Sequence, residues 1–188
     1  MEPIERQHLT ISSGSLERLI TTVPLEALLA RWVDVGKFLP YCQACPNYGK
    51  RWSCPPFQFD PMDLWRGYKA LVLVALVLTP AAGTDPAVFQ ETARREKNKL
   101  LEDLLALEET FPGSLALAAG SCDLCRFCAR ETGQPCRRLN QLRCSMEALG
   151  GDVAGIAEGY LGRALQWSRA GDLPDALTLV GGLLIPKG

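Results

Sequence analysis

Seven of the eight cysteines fall in two short stretches, and this clustering constrains the fold more than any other feature of the chain. Cys122, Cys125, Cys128 and Cys136 are spaced C-x2-C-x2-C-x7-C; Cys42, Cys45 and Cys54 are spaced C-x2-C-x8-C. Both stretches read as loops that a folded scaffold must carry. At about 4% of the chain, cysteine falls short of the ~8–10% that marks a small secreted disulfide scaffold. The first residues, Met1 to His8, show no basic segment leading into an apolar one, so no signal peptide is read there. A cytoplasmic location is the expectation, where thiols stay reduced and clustered cysteines bind metal or do redox work.

Several function classes drop out early. A formal net charge of −1 gives none of the basic surplus a general nucleic-acid binder needs to displace counterions. The single histidine, His8, lies in the polar N-terminal stretch, which removes most histidine-based catalysis and most mixed His/Cys zinc sites. No phosphate-binding loop, dinucleotide fingerprint, nucleophile elbow or HExxH helix is present. The longest apolar run, Ala70 to Ala82, is broken at Thr79-Pro80 and falls short of the roughly 20 residues a bilayer span requires. It reads as a buried strand, and no membrane partner is expected.

The scaffold reads as α/β, with a small sheet of at least three strands. Residues 1–14 read as a flexible polar tail and residues 15–188 as one cysteine-rich metal-binding domain. From Ser15 to Trp32 the apolar spacing suggests helix interrupted at Pro24, with Pro24 in the first turn of a helix over Leu25 to Trp32 and Thr22 as a possible cap. A loop follows from Lys37 to about Pro61. Lys69 to Leu78 is a continuous apolar run, as in a strand covered on both faces.

Thr84-Asp85-Pro86 opens a helix with a capping side chain and a proline in its first turn. Phe89, Ala93, Leu100, Leu104, Leu107 and Phe111 line one face of that helix. Ser114 to Ala119 reads as a second strand, so strand, helix and strand form a β-α-β unit with parallel strands and a right-handed crossover. Asp152 caps a short helix through Tyr160, and Ala176 to Ile185 is a third strand. In that strand Gly181-Gly182 marks a bulge or a close backbone approach.

Chemistry resides in the cysteines. Three thiolates at two-residue gaps can reach three corners of a cubane, and backbone N–H groups of such a loop point at sulfur; ferredoxins use the same run with a fourth cysteine from elsewhere. Gly133 and Pro135 would turn the chain so that Cys136 returns as the fourth ligand. A [4Fe–4S] cluster on Cys122, Cys125, Cys128 and Cys136 is therefore expected, with a single tetrahedral zinc as the alternative.

The upstream Cys42, Cys45 and Cys54 are expected to hold a second metal, iron or zinc. The fourth position is either Cys144 or open to water or substrate. Tyr41, Tyr48, Trp52 and Phe57 would dry this loop and tune a centre in it, or simply form its small core. Arg126, Arg130, Arg137, Arg138 and Arg143 either neutralise the thiolates or bind an anionic substrate or acidic redox partner. Glu147 and Asp152 either move protons or cap turns. Glu108-Glu109 reads as a solvated helix end.

These motifs carry a resemblance. The upstream C-x2-C-P-N-Y-G-K-x-W-x-C-P-P from Cys42 to Pro56, the Cys122-to-Cys136 run with Arg137, and Arg143-x-Ser145-Met146-Glu147-Ala148-x-Gly150-x-Asp152-Val153 resemble the family called domain of unknown function 2284, predicted metal-binding proteins. The likeness runs from about residue 37 to the C-terminus and implies metal sites without naming a reaction. Leu139 and Cys144 stand where the family pattern has proline. That marks Cys144 as a local substitution and favours an upstream site of three cysteines, or one completed by a non-cysteine ligand.

The function expected is electron transfer or redox support for a partner protein. The alternatives are an enzyme with an open metal position at the three-cysteine loop, and a zinc-stiffened interaction module.

Overall fold

The apolar run around Leu71 to Leu78 forms the central strand of a five-stranded sheet in the computed structural model, which describes residues 2–166 and 173–188. In chain order the elements are β1 (Glu5–Ile11), β2 (Gly14–Pro24), α1 (Leu25–Trp32), α2 (Val35–Ala44), α3 (Pro61–Arg66), β3 (Tyr68–Pro80), α4 (Pro86–Thr110), β4 (Leu115–Leu117), α5 (Val153–Leu161) and β5 (Leu177–Pro186). Short 3-10 turns lie at Ala129–Thr132, Leu139–Gln141 and Glu147–Leu149. Strand order is β1-β2-β3-β5-β4, every neighbouring pair antiparallel. The fold is thus mixed α/β, as the sequence suggested.

β3 is covered on both faces because its alternate side chains enter two cores. Leu71, Leu73, Ala75 and Val77 pack with α1, Trp65 of α3 and α5; Val74, Leu76 and Leu78 pack against Phe89, Ala93, Leu100 and Leu104 of α4. Burial on two sides explains why the run carries no polar alternation.

Three expectations about the strands need correction. Residues 5–11 are not a loose tail: they form β1, which pairs with β2 along its whole length. Ser15 to Val23 is strand, not helix. Leu16 and Ile20 go to the α4 side and Leu19 and Val23 to the other, so the spacing that imitates a helix face is two strand faces overlaid. The β-branched run Ile20-Thr21-Thr22-Val23 was the local signal for strand. Lastly, β3 and β4 are parallel to one another, both being antiparallel to β5, yet β5 lies between them. The β-α-β unit is therefore split, because the last strand inserts into its gap.

Gly181 and Gly182 sit in that insertion, and the close-approach reading holds. A Cβ on Gly182 would lie 2.5 Å from the Val72 carbonyl oxygen, and one on Gly181 2.8 Å from that of Leu117. Register through the pair is continuous from Leu71↔Leu184 to Leu78↔Leu177, with the only irregularity at Tyr68/Ala70.

The scaffold delivers both cysteine loops to one place. The Ala118 N–H donates to the Cys144 carbonyl at 2.9 Å, fixing the end of the downstream loop beside the exit of β4. The segment then runs to the α1–α2 junction, where the Asp34 N–H donates to Gly150 O at 2.9 Å and the Asp152 N–H to Trp32 O at 2.7 Å. Gly150 has φ +86°, and a Cβ there would stand 2.7 Å from Val35 Cα, so only glycine fits this crossing. Fully buried Trp65 donates its indole N–H to Leu149 O at 3.0 Å and anchors the Glu147–Leu149 turn from below. Asp152 caps α5 by accepting from the Gly155 N–H, the capping role among the two offered for it.

Candidate metal centres

The downstream loop curls as its spacing suggests. Cys128 accepts from the Glu131 N–H, the chain makes the Ala129–Thr132 turn, and Gly133 closes it in the left-handed conformation at φ +68°. The Gln134 N–H then returns to Ala129 O at 2.9 Å, reversing the chain toward Cys136. As a result Cys122, Cys125, Cys128 and Cys136 all line one recess, together with Arg51, Trp52 and Leu142. Backbone N–H groups do point at sulfur: that of Arg138 lies 3.4 Å from Cys136 Sγ, and that of Leu124 serves Cys122.

The upstream cysteines begin on a helix, where a loop was expected. Asp34 caps α2 by accepting from the Lys37 N–H at 2.9 Å, and the helix runs past Pro40 to carry Cys42. Cys45 stops it, its N–H donating to Cys42 O at 3.0 Å. A series of turns through Tyr48, Gly49 and Arg51 then brings Cys54 back, its N–H donating to Arg51 O at 3.1 Å. Cys42, Cys45 and Cys54 line a second recess, whose wall also holds Asn47, Tyr48, Ser145 and Glu147. An apolar groove of similar size adjoins it, sharing Cys42, Tyr48, Pro55, Glu147 and Ala148 and extending to Phe57 and Phe59. The latter two rings stack at 4.8 Å.

The two loops are stitched together by residues that the motif spacing does not reveal. Buried Ser53 accepts from the Cys122 N–H at 3.1 Å while its hydroxyl lies 3.8 Å from Cys54 Sγ. Arg51 donates to Cys122 O at 2.8 Å, Asn47 to Ser121 Oγ at 3.2 Å, and the Trp52 indole to Gln134 O at 3.0 Å. From the other side Arg130 donates to the carbonyls of Arg51, Cys54 and Pro56 at 2.8, 2.6 and 2.6 Å, its guanidinium 5.0 Å from the Trp52 ring centre. Lys97 reaches from α4 to Ser121 O and Asp123.

The five arginines therefore divide. Arg130 clasps the upstream loop. Arg143 pairs with Glu108, its Nε 2.8 Å from Oε2. Arg126, Arg137 and Arg138 stay exposed, and Arg137 and Arg138 stand in the wall of the four-cysteine recess. The Glu108 pairing corrects the solvated-helix-end reading. This half-buried carboxylate also accepts from the Ala116 N–H at 2.7 Å. Burial opposes its charge, but the hydrogen bonds from Arg143 and Ala116 prevail and hold its pKa below the usual range.

Electrostatics at the thiols follow from burial. Desolvation comes first in pushing up Cys42, Cys54 and Cys122. At Cys42 the neighbouring Cys54, Cys45 and Glu147 charges add to it; at Cys54 the Ser53 hydrogen bond, Arg51 and Arg130 act against it. Cys144 is pushed up to about 12, chiefly by burial. It packs against the α1–α5 core and is absent from the walls of both recesses.

Among the described residues no three His, Cys, Asp or Glu side chains converge tightly enough to chelate a single ion. The donor chemistry nonetheless suits a thiolate-ligated group. The eight cysteines are free thiols, four line one recess and three another, and backbone N–H groups are aimed at sulfur. Among the described residues, no helix is long and apolar enough to cross a membrane.

The family model described as predicted metal-binding protein (DUF2284) matches residues 33–185, a span that includes both cysteine loops and leaves β1 and β2 outside. No curated protein and no solved structure matches the chain.

Proposed function

Since the chain belongs to the predicted metal-binding family called domain of unknown function 2284, we propose that it is an iron–sulfur protein serving electron transfer or redox support of a partner protein. Cys122, Cys125, Cys128 and Cys136 would hold a [4Fe–4S] cluster, and Cys42, Cys45 and Cys54 a second metal centre. The observation that carries this reading is the four-cysteine recess, walled by all the members of the C-x2-C-x2-C-x7-C run. When bound, such a cluster supplies reversible one-electron exchange.

The chain's own residues would tune that exchange. The N–H groups of Leu124 and Arg138 neutralise charge on Cys122 and Cys136, and Arg51, Arg137 and Arg138 add positive potential at the recess wall. Exposed Phe127 and Leu139 flank the exposed Arg126, Arg137 and Arg138, a surface suited to an acidic redox partner. A reducing compartment such as the cytoplasm fits eight free thiols. Zinc in place of the cluster would leave the same ligands with a structural role only.

A second reading, an enzyme with an open metal position at the three-cysteine loop, is favoured by the apolar groove that adjoins that recess. The test is a reductive titration of anoxically purified protein. The carrier reading expects the visible absorption to bleach and recover with one electron and no substrate. Absorption that responds only to an added ligand favours the enzyme, and a protein without visible absorption removes the carrier reading.

A further inference from the structure

Among the described residues the three-cysteine recess is lined by one acidic side chain, Glu147, and no basic side chain forms a salt bridge with it. We propose that the carboxylate of Glu147 completes the upstream centre as its fourth protein ligand, and that Cys144 is not a ligand there. This rests on the reading that the upstream loop holds metal.

The geometry comes first. Glu147 stands in the same wall as Cys42, Cys45 and Cys54, and the Cys42 thiol lies 3.8 Å from its carbonyl oxygen. Its backbone is fixed by the turn it opens: Met146 before it and Leu149 after it are fully buried, and the Trp65 indole holds Leu149 O. Asn47, a second oxygen donor in the wall, is engaged with Ser121 and Arg51. Cys144 has turned away into the core.

Charge points the same way. Among the described residues Glu147 makes no salt bridge, and Lys97, the cation acting on it through space, is bonded to Ser121 O and Asp123. Three thiolates and an unpaired carboxylate concentrate negative charge in one recess, and a metal ion held there offsets it. Carboxylate oxygen is an accepted ligand alongside thiolates for first-row metals.

The test uses the full chain, purified without oxygen as wild type, C42S, C144S, E147Q and E147D, with iron and zinc per chain counted after dialysis against graded EDTA. The metal that wild type holds beyond C42S defines the upstream centre. The proposal expects C144S to keep that increment as wild type does, and E147Q to release it at EDTA concentrations at least tenfold lower. E147D, which keeps the carboxylate on a shorter arm, should fall between them. Far-UV circular dichroism confirms folding; if E147Q is unfolded, E147D decides by the same release. Release from C144S in place of E147Q, or E147Q indistinguishable from wild type, overturns the proposal. If C42S holds as much metal as wild type, the reading of an upstream metal centre is what fails.

Discussion

Replacing Arg130 by alanine removes a clasp without touching a thiol. Its guanidinium donates three hydrogen bonds to carbonyls of the upstream loop and lies over Trp52, although the residue itself belongs to the downstream loop. Hydrogen bonds from a charged donor contribute about 1.5–3 kcal/mol each when buried. Arg130 is only partly buried and water can reach the freed carbonyls, so the lower end applies and the bonds do not add fully. With ~0.5–1 kcal/mol for the ring contact, R130A should destabilise the metal-free protein by about 2–4 kcal/mol. The assay is urea unfolding of the metal-free, reduced full chain, reading a lower midpoint at unchanged slope. R130K, which offers a point charge in place of the planar fork, should recover less than half of the loss. Because the acceptors frame Cys54, R130A should also shed upstream metal more readily than wild type. An R130A midpoint corresponding to less than ~0.5 kcal/mol of loss would refute the idea that the two loops form one mechanical unit.

Three other outcomes follow from the same structure. The Cys144 thiol goes from an ordinary 9.0 to about 12 on folding, so its contribution is fully present below pH 9 and is lost as pH rises toward 12. At ~1.4 kcal/mol per unit this is on the order of 4 kcal/mol, and C144A should flatten that part of the alkaline decline in urea midpoint; an unchanged slope contradicts it. Gly182→Ala would place a Cβ against Val72 O, forcing β3 and β5 apart at a cost of about 1–3 kcal/mol; a thermal scan should show a fall of several degrees, and an unshifted Tm contradicts the close approach. Trp65→Phe leaves Leu149 O without its donor and should cost about 1–3 kcal/mol, read from urea unfolding; a neutral result means the indole does not anchor the turn beneath Glu147.

Elements whose signals are local could be read directly from the sequence. β3 announced itself by an apolar run too short for a membrane, α4 by Asp85 and Pro86 at its start and one apolar face, and α5 by its Asp152 cap. β2 imitates a helix in sequence because a strand with both faces buried and a helix face share the spacing of Leu16, Leu19 and Ile20. α2 is hidden in the sequence because Pro40 and the nearby cysteines point to loop, whereas the Asp34 cap starts a ten-residue helix that accommodates that proline. Nothing local marks β5 as the strand that splits β3 from β4, since insertion depends on pairing partners distant in the chain.

The same division holds at the candidate site. Spacing and the Gly133 turn group Cys122, Cys125, Cys128 and Cys136, and the four line one recess. Ser53, Arg51 and Arg130, which join the two loops, could not be found by spacing because their partners lie 69 to 79 residues away. Glu147 was singled out as a possible acid or cap, but its place among the three upstream cysteines emerges only when α2 and the turn after Met146 come together.

Metal identity bears most directly on the central claim. Iron, acid-labile sulfide and zinc should be counted per chain, together with a visible spectrum, on protein purified without oxygen. The account predicts a brown protein with about four irons and four sulfides on the downstream loop, plus further metal that C42S removes. A colourless protein with one or two zinc ions and no sulfide would contradict it, leaving the cysteine loops as structural zinc sites.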